Sequence, residues 1–133
     1  MRIAIRLLAG LLAIDELVVG AWNQFWPEGF YARFPTVDLA PPFSEHYARD
    51  FGGATLGIAV VLIAAVIVPH GVLALVAGLS FSAFSIPHLV FHASHLAHAT
   101  DAEAVFLIVA NGVVMLAGVL LGGIGVLRMA RDR

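Results

Sequence analysis

The chain has 133 residues, 61% of them hydrophobic and only 12% charged, with a net charge of -2 and a mean hydropathy of +0.97. Soluble domains carry about a quarter charged residues, so this composition excludes one and specifies an integral membrane protein, a single domain over 1–133 with room for at most about four or five spans. The absence of cysteine and lysine removes disulfides, thiolate metal sites, Schiff-base chemistry and a P-loop lysine, and no basic patch is present for nucleic acid.

Four apolar stretches follow in order: Ile3 to about Trp26, a second ending at Pro69, Gly71 to about Leu96, and Ala104 to Leu127. The first contains Arg6, Asp15 and Glu16. Its clean run, Leu7 to Ile14, is short for the apolar region of a signal peptide, two acids follow it, and no small-x-small cleavage pattern comes before Trp22–Trp26. It therefore reads as a span closed by an interfacial belt of Trp22, Phe25, Trp26, Phe30 and Tyr31. Pro27, Pro35, Pro41 and Pro42 forbid continuous helix in the connection that follows, and Ser44 is placed to cap a helix opening at Glu45. The spans are then about 3–26, 44–69, 71–96 and 104–127.

Arg2 and Arg6 sit at one end of the chain and Arg128, Arg131 and Arg133 at the other, whereas the short connections at 69–71 and 95–103 have no arginine. By the positive-inside rule both termini face the cytoplasm, which requires an even number of spans. The expected fold is thus all-α: a membrane-spanning four-helix bundle in the plasma membrane. Gly53 with Gly57 and Gly118 with Gly122 form small-xxx-small pairs suited to close helix packing within it.

Two segments concentrate polar chemistry. In the third span, His88, His92 and His95 fall within an arc of about 60° on one helical face, with His98 further round the same side. At the start of the second, Glu45 with Arg49 and His46 with Asp50 form two i, i+4 pairs, and Asp50 is positioned to orient the His46 ring. Both segments lie at the outer ends of their helices. Convergence of His46, His88, His92 and His95 with Glu45 and Asp50 would suit a divalent transition metal such as Zn, Fe or Cu, and His46 with His88 would suit axial ligation of haem. Arg49, Glu16 and Asn111 are supporting polar residues at similar depth. Other readings stand beside this one. The histidines can be interfacial residues bonding headgroups and neighbouring helices, the chain can be a non-catalytic accessory or packing subunit of a larger membrane complex, or it can be a small proton-coupled or ion transporter. The last would act as a homo-oligomer and use Glu16, Asp50 and His88 as a relay.

The segments Pro42-Phe43-Ser44-Glu45-His46-Tyr47-Ala48-Arg49-Asp50-Phe51-Gly52 and Pro87-His88-x3-His92-x2-His95-Leu96 resemble an uncharacterised group of small actinobacterial four-helix membrane proteins. The wider layout is similar to that of DoxX-like proteins, where an Arg-Asp-x-Gly segment also opens the second span. The resemblance implies a four-helix multipass fold and points to Glu45, His46, Arg49, Asp50, His88, His92 and His95. DoxX-like relatives include quinone-linked oxidoreductase subunits, but no residue pattern in this chain marks a quinone site.

Overall fold

In the computed structural model, which describes residues 1–39 and 42–132, the chain is all-helical. Helices α1 (Arg2–Phe25), α2 (Pro27–Arg33), α3 (Glu45–Ile67), α4 (Gly71–Ser94) and α5 (Asp101–Arg131) run in chain order, with a 3-10 turn at Val37–Leu39. Pro41 of the expected helix-breaking connection and Arg133 of the C-terminal arginine group lie outside the described residues.

Three helices, α3, α4 and α5, are long and apolar enough to cross a membrane. The sequence led us to expect four. Helix α1 has the length, at 24 residues, but Arg2, Arg6, Asp15 and Glu16 lower its hydropathy below that of the other three.

Local signals account for the helix ends. Ser44 caps α3 by accepting from the Tyr47 backbone N–H at 3.4 Å, as its position before Glu45 predicts. His70 caps α4, its Nδ1 accepting from the Val72 N–H. Thr100 and Glu103 form a reciprocal capping box that starts α5 three residues before the expected span, and a last turn containing Arg128 and Arg131 extends it beyond Leu127. Helix α2 was not expected. Pro27 occupies its first turn, where the missing N–H costs nothing. Phe30 and Phe34 then fold back on Trp22, with ring centroids 5.6 and 6.2 Å from the indole, so aromatic packing stabilises a helix too short to stand alone.

The bundle is assembled from two closely packed antiparallel pairs, α1 with α3 and α4 with α5, joined by slighter seams between α3 and α4 and between α1 and α5. Glycine permits the close approach in both. A Cβ on Gly52 would stand 2.8 Å from the Gly20 carbonyl oxygen, and one on Gly78 would stand 2.6 Å from Gly122 Cα. Gly118 and Gly122 therefore pack as their spacing implies, but Gly53 and Gly57 do not. Gly57 has open space around it, and the packing glycine of α3 is Gly52. The difference is one of helical phase: Gly52 faces α1, whereas its neighbour Gly53 points about 100° away.

The core between the pairs contains Ile5, Leu12, Leu62, Phe81 and Leu121, all fully buried. The Arg6 Nε–H donates to the Val66 carbonyl at 3.2 Å, and Gly71 packs beside Met129. The start of α1, the end of α3, the start of α4 and the end of α5 thus share one end of the bundle, so both ends of the described chain lie together.

Candidate functional site

The polar segments singled out in the sequence form three separate arrangements. On α3, His46 Nε2 lies 3.3 Å from Asp50 Oδ2, as the spacing predicts, but the two side chains are 85% and 67% exposed. One turn of the same helix carries the second pair, Arg49 to Glu45 at 2.8 Å. Arg49 also donates to the Gln24 carbonyl, joining the start of α3 to the end of α1. Its arrangement is that of a clamp between helices.

The histidines of α4 continue an aromatic ladder. Phe84 packs on Phe51 of α3 at 5.6 Å and on His88 at 5.0 Å, and the His88 and His92 rings are 4.5 Å apart in an edge-to-face arrangement. His95 stacks on Phe91 at 4.2 Å, and its Nδ1 lies 2.8 Å from the Phe91 carbonyl oxygen. Helix α4 continues through Pro87 and ends at Ser94, so His95 caps its C-terminus and His98 follows in the connection. A cleft of about 500 Å³ separates His92, His95 and His98 from Thr36 and Leu39.

The six residues proposed as a metal site are therefore divided. His88 and His92 are brought together; His46 and Asp50 are brought together; Glu45 is held by Arg49. Among the described residues, no group of three or more His, Asp or Glu side chains gathers in an arrangement able to hold a metal ion. A continuous helix sets both divisions, because the i, i+4 spacing that pairs residues within α3 and within α4 imposes no contact between the two.

A different set of polar groups lies inside the bundle. Glu16, Asn23, Thr55, Ser82 and Ser85 are each at most 8% exposed. Asn23 donates to the Val19 carbonyl at 2.9 Å, and the Thr55 hydroxyl donates to the Gly52 carbonyl at 3.0 Å, so these two satisfy themselves against their own helices. Asn111 does likewise, donating to the Leu107 carbonyl at 2.8 Å. Glu16 and Ser85 differ: Glu16 Oε2 and Ser85 Oγ are buried without a hydrogen-bond partner among the described residues. Helices α1 and α4 start at the same end of the bundle, and Glu16 and Ser85 are each about 21 Å along their helix at 1.5 Å per residue.

Sequence reasoning singled out Glu16 as a supporting polar residue and relay member but did not single out Ser85. The available signal was the i, i+3, i+6 series Ser82, Ser85, His88, which places two hydroxyls along the same side of the helix below the imidazole, across an arc of about 120°. An unpartnered buried carboxylate oxygen is costly in an apolar interior, and a carboxyl group there is neutralised by a proton or a bound cation. The interior chemistry available to this bundle is accordingly that of one buried acid on α1 and the buried hydroxyl groups of Ser82 and Ser85 on α4.

Compared with known proteins, the chain matches no family model, no curated protein and no solved structure.

Proposed function

We propose that the chain is a multipass plasma-membrane protein with four spans and cytoplasmic termini, and that it moves protons by way of the Glu16 carboxyl group. The observation that carries this reading is the burial of Glu16, 2% exposed with an oxygen that no donor among the described residues reaches. Ionisable groups within a membrane span face the bundle interior and mark ion or proton paths.

The inclusion of α1 as a span is supported by its two faces. Ile3, Leu7, Leu11 and Ile14 are 61–73% exposed, whereas Glu16 and Asn23 are buried against the other helices. A helix with apolar residues outside and polar residues inside suits lipid as its solvent. Of the charges that lower its hydropathy, Arg2 and Arg6 then belong to the helix end and Glu16 to the interior, with Asp15 half-buried beside it, and four spans agree with the layout implied by the resemblance to DoxX-like proteins. Glu16 and Ser85 supply groups at mid-depth, and His88 and His92 extend the polar line toward the end that the arginine distribution places outside. A homo-oligomer is the form in which four spans per chain would enclose a path.

Reconstitution into lipid vesicles loaded with a pH-sensitive dye tests this function. Under an imposed potential the parent protein should acidify or alkalinise the lumen well faster than protein-free vesicles, and Glu16→Gln should abolish the difference. Equal rates for parent and Glu16→Gln, or a parent rate equal to that of empty vesicles, would refute it.

A second reading is favoured by the 4.5 Å separation of the His88 and His92 rings. An i, i+4 imidazole pair can chelate one divalent transition metal, with water completing the coordination. Metal analysis of protein purified in mild detergent should then show near-stoichiometric metal that His88→Ala and His92→Ala remove. An absorption spectrum with a Soret band would instead indicate haem.

A further inference from the structure

The end of the bundle opposite the termini carries a cleft of about 720 Å³ between the end of α1, helix α2 and the start of α3, within the range of about 300–1,000 Å³ typical of small-molecule sites. Its lining includes Trp22, Trp26, Glu28, Arg33, Glu45 and Arg49. Two guanidinium groups and two carboxylates therefore stand beside two indoles. Arg49 and Glu45 are engaged with one another at 2.8 Å. Glu28 and Arg33, at opposite ends of α2, take part in no ion pair among the described residues. Phe25 and Trp26 beside them are 60% and 67% exposed, the character of a side chain resting at the level of lipid headgroups.

We infer that this cleft is a binding site for a zwitterionic amphiphile that joins a phosphodiester to a primary ammonium, a phosphatidylethanolamine-type headgroup. Arg33, assisted by Arg49, is the phosphate ligand, because guanidinium offers paired N–H donors matched to phosphate oxygens. Glu28 receives the ammonium, whose charge is also attracted by an indole face. Neither charge alone accounts for the lining: a purely anionic ligand would oppose Glu28 and Glu45, and a purely cationic one would oppose Arg33. The exposed aromatic side chains provide apolar surface for the first segments of the acyl chains. The inference needs a membrane around the bundle but is independent of a proton on Glu16.

The protein contains two tryptophans, and both line this cleft, so intrinsic fluorescence reports its occupancy directly. Purified full-length protein in detergent would be titrated with short-chain phosphatidylethanolamine, phosphatidylglycerol and diacylglycerol, and with glycerophosphoethanolamine as the headgroup alone. A saturable fluorescence change is expected with phosphatidylethanolamine and, at higher concentration, with its headgroup; phosphatidylglycerol should bind more weakly, and diacylglycerol should give no saturable change. Arg33→Gln and Glu28→Gln should each weaken binding about tenfold, the loss expected for one charge-assisted hydrogen bond. Both side chains are exposed, and circular dichroism would verify that the fold is intact. Arg2→Gln, at the opposite end, and Glu16→Gln should titrate like the parent. A response to diacylglycerol equal to that of phosphatidylethanolamine would overturn the site. Equal binding of phosphatidylglycerol, or unchanged titration of Arg33→Gln or Glu28→Gln, would overturn its zwitterionic character.

Discussion

Substitution of Gly78 by alanine probes the packing that holds α4 on α5. The added Cβ would stand 2.6 Å from Gly122 Cα and 2.8 Å from the Gly118 carbonyl oxygen, and both obstructing atoms belong to the backbone of a continuous helix. Restoring the ~3.5–4.0 Å separation of ordinary carbon contacts requires the helices to part by about 1 Å. Overpacking of this kind costs about 1–3 kcal/mol, and the absence of a flexible side chain that can yield places Gly78→Ala toward the upper value. Alanine also favours helix over glycine by about 1 kcal/mol, so the informative comparison is Gly57→Ala, where the same propensity gain applies and no atom lies within 4 Å of the new Cβ. Unfolding by SDS in mixed micelles, followed by circular dichroism, should show Gly78→Ala less stable than Gly57→Ala by about 1–3 kcal/mol. Equal stability of the two, or greater stability of Gly78→Ala, would refute the packing argument.

Other substitutions distinguish groups that hold the fold from groups that merely accompany it. Arg49→Gln should destabilise the protein by about 1.5–3 kcal/mol in the same assay, because the guanidinium joins α3 to the Gln24 carbonyl at the end of α1. Asp50→Asn should change stability by no more than about 0.5 kcal/mol, since the pair it forms with His46 is largely exposed. Thr100→Ala removes the N-cap of α5 and should cost about 1 kcal/mol.

The features most legible in the sequence were those set by one helix at a time. Uninterrupted apolar runs located α3, α4 and α5, Ser44 marked a helix start, and i, i+4 spacing paired His46 with Asp50 and Glu45 with Arg49. What spacing does not specify is the rotation of one helix against another. That rotation selected Gly52 over Gly53 as the contact with α1, and it left the α3 pairs outside the bundle instead of opposite His88 and His92. Helix α2 escaped notice because its stability comes from packing on Trp22, eight residues before Phe30 at its centre, and because Pro27 and the prolines after the helix read as helix breakers. The interior position of Glu16 was legible, since a charged residue among apolar ones has few other places in a membrane. The orphaned hydroxyl of Ser85 was not, because serine in an apolar helix commonly satisfies itself on the preceding turn.

The central claim is that the buried Glu16 carboxyl carries a proton. Infrared difference spectroscopy on the protein in lipid, comparing parent with Glu16→Gln at neutral pH, tests it most directly. A carbonyl stretch characteristic of a protonated carboxylic acid, present in the parent and missing from Glu16→Gln, is the expected result. Loss of only the symmetric and antisymmetric carboxylate bands in the variant would mean that Glu16 is ionised, and would contradict the account.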